Sequence, residues 1–452
     1  MVLPILSHGQ AEQYSLDEAI EYALINSNEV RISQADIAIA DAQIKEFRAG
    51  GLPQINATGD YNYFLAIPTQ IIPDFLGPAV DGRLLNYGLI DPAQIMPPSG
   101  AGIPAQFGLR NSLTFGAGAS FMIFDASFFS GLKAISKAKD LARREYEQTE
   151  FEIKQNVIDA YLLVAFTEKN TSYLEANIEN LTKNLEESRA LYENGFIEQL
   201  DIDRLELSLQ SLEIELEKLS RSKAISKNLL KFQMNFPMDA DIAITDDLDK
   251  LSDRIALAQQ QLVDKEYTYQ NRPEYQTIEA GKRLNDLQIE NIKSGYYPRL
   301  QGFINYSQQL FRNNLFDGDE NGWFPNSVVG ASLTIPIYDG SRRKAQISQA
   351  KLDKEKVMVR QRSFENAMDL EVYNARETYK NALATVENRK KNMDLAQRIY
   401  DTTVEKYSAG VGSSVETSQA ERELYTAQSN YTEAMYELIT ATFDLKRALG
   451  DL

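Results

Sequence analysis

The sequence predicts a mainly α-helical protein with a membrane β-barrel portion, built from one unit that occurs twice. Long proline-free runs with helical periodicity alternate with short segments in which apolar and polar residues alternate. The two halves also stay in register to about one residue. Corresponding pairs are Asp125 and Asp339, Tyr192 and Tyr407, Gly195 and Gly410, and Asp201 and Glu416. The chain is therefore predicted to be a tandem duplication of helix, strand, strand and long helical hairpin.

Composition limits the function. Among the 452 residues, no apolar run reaches the 18 or so residues of a membrane-spanning helix, so the chain would enter a bilayer only as β-strands. The net charge of −18 opposes binding to nucleic acid. The absence of cysteine excludes disulfides and thiolate metal sites, and His8 is the single histidine. With no phosphate loop, no paired metal ligands and no nucleophile beside a base, the sequence predicts neither an enzyme nor a cofactor.

The first repeat is predicted to begin with a capped helix. Residues 1–14 resemble the apolar end of an export signal without its basic start, and are expected to be a signal remnant or a disordered tail. Ser15 followed by Glu18 forms a capping-box pattern, which predicts a helix that runs to about Arg48. The first repeat then extends over residues 15–236.

Four segments alternate apolar and polar residues as strands do. In the first, Ile55, Ala57 and Tyr61 alternate with Asn56 and Thr58. Each segment has about the ten residues that a tilted strand needs to cross a bilayer. The predicted strands are residues 54–66, 109–124, 299–310 and 327–338.

Each repeat ends in a predicted hairpin of long helices, residues 126–232 in the first and 340–450 in the second. The return helix of the first hairpin has a heptad-like seam, which needs a partner helix. The seam consists of Ile202, Leu205, Leu209, Leu212, Leu216 and Leu219. Residues 237–271 are acidic and are predicted to form a connector with a helix, after which residues 272–452 make the second repeat.

The two strand pairs are joined by unequal segments. Pro68–Gly108 contains half of the chain's prolines, which predicts a long loop at the strand ends. Its counterpart, Phe311–Pro325, includes half of a calcium-loop pattern at residues 317–322. The twelfth position of that pattern is Val328 rather than an acid, so a polar turn is favoured over a metal site.

Four strands cannot close a barrel, and an open sheet would leave unpaired edges in lipid. Three copies of the chain would supply twelve strands and a ring of twelve long helices. The polar residues between the apolar stripes of those helices suit a water-filled tube better than a solid bundle.

Several short features, in order and twice, resemble the TolC-like family of outer-membrane factors, the outer membrane efflux proteins. They are the junctions Phe124-Asp125 and Tyr338-Asp339-Gly340, the strand starts Leu52-Pro53 and Tyr297-Pro298-Arg299, and the turns from Tyr192 to Gly195 and from Tyr407 to Gly410. The resemblance covers essentially the whole chain. It implies a homotrimer with a twelve-stranded β-barrel in the outer membrane and a periplasmic α-barrel of twelve helices.

The resemblance also implies roles for the hairpin turns. Glu416, Asp201 and Tyr407 match residues at the periplasmic aperture of the family. The turns Gly195-Phe196-Ile197 and Gly410-Val411-Gly412 match the segments that dock an adaptor protein. Where a family member has an arginine of the closing latch, this chain has Gly412. The two acids also suit the positive end of a helix dipole, which is the simpler interpretation of both.

The implied function is a passive outer-membrane exit duct of a tripartite efflux or type I secretion system in a Gram-negative bacterium, with a large periplasmic portion. Its partners would be two further copies of itself, a periplasmic adaptor, an inner-membrane transporter and outer-membrane lipid. The alternative is a periplasmic coiled-coil adaptor or scaffold that does not span the membrane. Adaptors have similar hairpins but would lack four alternating strands in this order.

Overall fold

The computed structural model describes residues 12–73, 76–95, 102–256, 262–314 and 322–452. The chain divides into two compact units. The helical unit takes Met1–Ile44, Lys133–Ile289 and Gln346–Leu452, and the strand unit takes Lys45–Leu132 and Glu290–Ala345. Each unit therefore combines segments from both sequence repeats.

The helices include two hairpins of unusual length. In chain order the helices are α1 (Leu16–Asn26), α2 (Asn28–Ala49), α3 (Leu76–Asn86), α4 (Ala126–Glu193), α5 (Gln199–Met234), α6 (Leu248–Ala256), α7 (Pro273–Ser294), α8 (Arg342–Ser408) and α9 (Ser414–Leu449). The pairs α4–α5 and α8–α9 are the predicted hairpins. Within the described residues, no helix combines the length and the apolar content needed to cross a membrane.

Within the described segments, the strands form three small sheets. In chain order they are β1 (Glu12–Tyr14), β2 (Gln54–Tyr63), β3 (Thr69–Ile72), β4 (Ile103–Gln106), β5 (Asn111–Asp125), β6 (Ile242–Ile244), β7 (Arg299–Arg312) and β8 (Trp323–Thr334). The order β2-β5-β7-β8 makes an antiparallel four-stranded sheet, in which β5 and β7, from different repeats, are the central neighbours. β1 pairs with β6 in parallel, and β3 pairs with β4.

The register of the four-stranded sheet separates an apolar face from a polar one. Ile55 pairs with Ala119, Ala119 with Ile304, and Ile304 with Val329, so one row of apolar side chains crosses all four strands. Ile55 and Val329 are 77% and 75% exposed. A row on the opposite face consists of Thr58, Gly116, Ser307 and Asn326. The sheet thus presents an apolar surface that nothing in the described chain covers.

The sequence expectations were wrong in detail at several places. Glu12–Tyr14, assigned to the tail, is strand β1; residues 1–11, with His8, lie outside the described residues. Pro68–Gly108 is not simply a loop, because it contains β3, β4 and α3. The last strand begins at Trp323 and ends at Thr334, several residues earlier than predicted. Residues 317–321 of the partial calcium-loop pattern lie outside the described residues.

The first predicted helix is broken at Ser27. The capping box of α1 is confirmed, since the Ser15 backbone N–H donates to Glu18 Oε2 at 2.8 Å and Ser15 Oγ accepts from the Glu18 N–H. Ser27 then ends α1 and starts α2, because its N–H donates to the Ala23 carbonyl while its Oγ accepts from the Glu29 N–H at 3.1 Å. A second N-cap inside the apolar pattern divides the helix.

The main core of the helical unit joins the helices to the connector. It includes Leu16, Val157, Leu162, Leu230, Met234, Leu248 and Ile439. At its centre Tyr161, fully buried, donates its hydroxyl to the Tyr14 carbonyl at 3.0 Å and accepts from the Asp246 N–H at 3.0 Å. Tyr161 therefore ties both β1 and the end of β6 to α4.

An ionic cluster forms around the buried Arg272 at the start of α7. The Arg272 guanidinium contacts Glu274 at 2.8 Å and Glu371 at 3.2 Å, and Arg447 contacts Glu371 at 3.2 Å. Two positive and two negative groups offset one another in a site where Arg272 is only 5% exposed. Although burial favours the neutral acid, the bond to Arg272 and its charge lower the pKa of Glu274.

Candidate functional site at the hairpin turns

The two hairpin turns share one backbone geometry. Gly195 and Gly410 adopt φ of +78° and +74°, a left-handed conformation that glycine takes at little cost. One residue later, the Phe196 N–H donates to the Leu191 carbonyl at 2.9 Å and the Val411 N–H to the Lys406 carbonyl at 3.0 Å. This is the hydrogen-bond pattern of a glycine C-cap, which ends α4 and α8 in the same way.

Gly412 has no room for a side chain. Its N–H donates to the Lys406 carbonyl at 3.0 Å, which brings its Cα against the end of α8. A Cβ at this position would lie 2.8 Å from the Tyr407 nitrogen and 3.1 Å from the Lys406 carbonyl carbon. A side chain at this position, whether alanine or arginine, therefore does not fit this turn as it is folded here.

Tyr407 links α8 to α4. Its side chain is 7% exposed, and Ser188 Oγ donates to its hydroxyl at 3.3 Å. Burial, with the nearby charge of Asp201, raises the Tyr407 pKa despite the Ser188 bond. Two turns earlier on the same helix, the Tyr400 hydroxyl accepts from Asn184 Nδ2 at 3.1 Å. Two tyrosines of the second hairpin thus bond to polar residues of the first.

Asp201 links the starts of the two return helices. Its Oδ2 accepts from the Glu198 N–H at 3.3 Å, which caps α5, and its Oδ1 accepts from the Ser414 hydroxyl at the first residue of α9. Arg204 lies 3.9 Å from the same carboxylate. Asp201 therefore caps its own helix and also bonds the neighbouring hairpin.

Glu416 occupies the matching position of the second repeat but has a different environment. Its side chain is exposed in the first turn of α9 and makes no hydrogen bond or ion pair within the described part of the chain. The structure thus brings Asp201 and Tyr407 into contacts between the hairpins and leaves Glu416 facing solvent.

The predicted docking turns expose apolar side chains. Phe196 is 76% exposed and Val411 is 77% exposed. Ile197 is half-buried against the cluster that contains Leu185 and Leu205. Ile197 therefore anchors the first turn, while Phe196 and Val411 leave apolar surface exposed for contact with another protein.

The sequence did not identify three polar residues near these turns: Ser188, Ser414 and Glu421. The two serines had no signal of their own, because their partners lie on the other hairpin. Glu421 did have one: it lies between Ala420 and Leu424, on the buried face of α9, where an acid is unusual. Within the described residues, no group of three or more acidic or histidine side chains is arranged to hold a metal ion.

Comparisons with known proteins agree on one family. The family model described as "Outer membrane efflux protein" matches residues 108–235 and 265–451. The probable efflux pump outer membrane protein TtgC of Pseudomonas putida is 20% identical over 96% of this chain and 83% of its own length. The outer membrane protein TolC of Escherichia coli is 21% identical over 99% and 84%.

A solved structure has the same fold. The outer membrane protein VceC of Vibrio cholerae superimposes with a TM-score of 0.68 at 16% identity, over 96% of each chain. This similarity confirms the predicted fold class of duplicated strands and long helical hairpins.

Proposed function

Because the chain belongs to the outer membrane efflux protein family, we propose that it is the exit duct of a tripartite efflux or type I secretion system. It is a protein of the Gram-negative outer membrane, with a large helical portion in the periplasm. The relatives bear the names of efflux pump components and outer membrane proteins, and the duct is proposed to act as a passive conduit without catalysis.

The observation that carries the proposal is the apolar face of the four-stranded sheet. Ile55, Ile304 and Val329 lie exposed in one row, as lipid-facing residues of a barrel do. Within the described residues, β2 and β8 each pair on one side only, and an unpaired edge is costly in lipid. Three copies would pair these edges and close twelve strands, which supports a homotrimer.

The hairpin turns are proposed to form the periplasmic aperture. The Tyr407–Ser188 and Asp201–Ser414 contacts would hold the two hairpins of one subunit together at the tip. Three exposed Glu416 carboxylates, brought near the axis of a trimer, would attract cations. The exposed side chains of Phe196 and Val411, with the glycine turns around them, would dock a periplasmic adaptor, which joins the duct to an inner-membrane transporter.

The test is the conductance of the purified protein in a planar bilayer. We expect the parent to conduct weakly and to prefer cations, and Glu416→Ala to lose that preference. Tyr407→Phe removes the acceptor for Ser188 and is expected to raise conductance. Glu423→Gln is the matched control, since Glu423 is an exposed acid farther along α9 and its loss should leave selectivity unchanged.

Two results would overturn the proposal. The first is a failure to form channels under any condition. The second is a monomeric protein in the soluble fraction rather than a trimer, stable in SDS, from outer membranes. Either result would favour the alternative of a periplasmic adaptor or scaffold.

A further inference from the structure

Glu421 is a buried acid without a partner. It is 5% exposed, and neither of its carboxylate oxygens has a hydrogen-bond partner within the described part of the chain. The hydroxyl of Ser418, one turn earlier on α9, is also buried without a partner. Unsatisfied buried polar groups are costly, so two together call for a physical reason.

Both groups line a cavity of about 360 Å³ between the return helices. Its polar walls come from Arg204, Ser208 and Ser211 of α5 and from Ser418, Glu421 and Arg422 of α9. Leu207 and Val415, at 66% and 49% exposed, also line it. Glu421 lies seven residues beyond Ser414, the first residue of α9, which is about 10 Å of helix. The cavity is therefore close to the turns.

The side chains around Glu421 offer little compensation for a negative charge on its carboxylate. Arg204 of α5 and Arg422 of α9 are the cations on the cavity wall, and Tyr400 of α8 lies behind it with Ala420 and Leu424. Arg422 Nη2 already donates to Gln419 Oε1 at 2.9 Å, and Arg204 lies beside Asp201. Asn184 of α4, which bonds Tyr400, is uncharged. These surroundings favour the protonated, neutral form of Glu421 over the ionised form.

We propose that Glu421 is a proton-dependent latch of the aperture: protonated, it keeps α5 and α9 closed on each other, and ionised, it hydrates the cavity and loosens them. The ionised carboxylate needs donors, and water or Arg204 can provide them. If Arg204 turns to Glu421, it leaves Asp201, the residue that holds Ser414. One proton on Glu421 is thereby coupled to the contact between the two hairpins. This inference rests on the proposed function of the turns as an aperture.

The Glu421 carboxyl titrates near neutral pH. Burial raises the Glu421 pKa to about 7, although Arg422 partly opposes the shift. Burial, with the nearby charge of Glu421, also raises the Tyr400 pKa to about 12, so Tyr400 stays neutral throughout. Between about pH 5.5 and about pH 8.5, the ionised fraction of Glu421 rises from a few per cent to nearly all, about thirty-fold.

The experiment measures the separation of α5 and α9 by pulsed electron paramagnetic resonance. Spin labels at Leu207→Cys and Val415→Cys report across the cavity, and because the native chain has no cysteine, only these positions react. Labelled chains are diluted with unlabelled ones in the full-length protein. We expect the population with the longer separation to grow across the titration, in step with the ionised fraction.

Glu421→Gln, which cannot ionise, is expected to keep the short separation at every pH, while Glu423→Gln, an exposed acid two residues away, should behave as the parent does. Glu421→Asp keeps a titrating group and should move the midpoint to lower pH. A parent that does not respond to pH, a Glu421→Gln variant that still responds, or an unchanged midpoint in Glu421→Asp would each overturn the latch. This readout needs no channel, so failure of conductance alone would count against the proposed function instead.

Discussion

The most specific prediction concerns Gly412, the residue that closes the second turn. Replacing it with alanine adds one methyl group that meets backbone rather than flexible side chains. The new Cβ would lie 2.8 Å from the Tyr407 nitrogen and 3.1 Å from the Lys406 carbonyl carbon. Neither atom can rotate away, because both belong to the last turn of α8. The turn must open or the helix end must shift.

The expected cost is that of overpacking, about 1–3 kcal/mol. Alanine variants of two other turn glycines distinguish this steric effect from backbone strain. Gly195 and Gly410 have positive φ but open space around a Cβ, so alanine there costs about 1–2 kcal/mol from the left-handed conformation alone. Gly412 lacks the positive φ, and its cost comes from contact.

The assay combines thermal unfolding of the purified protein with bilayer conductance. We expect all three alanine variants to unfold at lower temperature. Only Gly412→Ala pushes directly on the Tyr407 backbone, so it should weaken the 3.3 Å contact with Ser188 and raise conductance most. Gly195→Ala, in the turn that does not carry Tyr407, should conduct as the parent does. Equal conductance of Gly412→Ala and Gly195→Ala would refute the reasoning.

Three further predictions test the helical unit. Arg272→Ala removes the partner of the half-buried Glu274, while Glu371 keeps its contact with Arg447, and should destabilise the protein by about 1.5–3 kcal/mol in thermal unfolding. Because the Glu274 pKa is lowered in the fold, its contribution is present above its usual pKa and is lost as pH falls, so the deficit of the variant should shrink in acid. Leu205→Ala, at a fully buried position, should cost about 2–5 kcal/mol, whereas Leu207→Ala, 66% exposed, should change stability by less than about 0.5 kcal/mol; equal losses would contradict the assigned packing. Ser27→Ala removes the cap of α2 and should cost about 1 kcal/mol, seen as faster hydrogen exchange in the first turn of α2.

Features with a local signal were predictable from the sequence. The capping box at Ser15, the alternation in β2 and the glycine turns at Gly195 and Gly410 each follow from a few neighbouring residues. The break at Ser27 also had a signal, a serine two residues before a glutamate, but the apolar period continues through it and favours one helix. The break between α1 and α2 is therefore set by the Ser27 cap and not by the apolar periodicity.

Features that depend on distant partners were not predictable. The three residues Glu12–Tyr14 are too few to show a period, and they form a strand only because Ile242–Ile244 lies beside them. The same holds for the seam of α5, where Ile202 and Leu205 are buried but the later leucines are only half-buried. Spacing identifies the apolar side of a helix, whereas the fold determines how much of that side is covered.

The predicted site shows the same division between local and long-range causes. The positions of Asp201 and Tyr407 beside the turns follow from the repeat, but their partners Ser414 and Ser188 lie on the other hairpin. The sequence repeat shows which positions of the two hairpins correspond, but it does not show which residues of one hairpin contact the other. The buried state of Glu421 likewise depends on α5 and α8 packing around α9.

The duplicated acids show how one repeat position can acquire two roles. Asp201 is held by the cap of its own helix, since its second oxygen accepts from the Glu198 N–H, so its side chain is already ordered when it meets Ser414. If the link between the hairpins were lost, α5 would stay capped, so the proposed aperture could open by movement of intact helices. Glu416, at the matching position, has neither contact and stays exposed. Because the first copy satisfies the contact within the subunit, the second copy is left free to act toward solvent, as the proposed aperture requires.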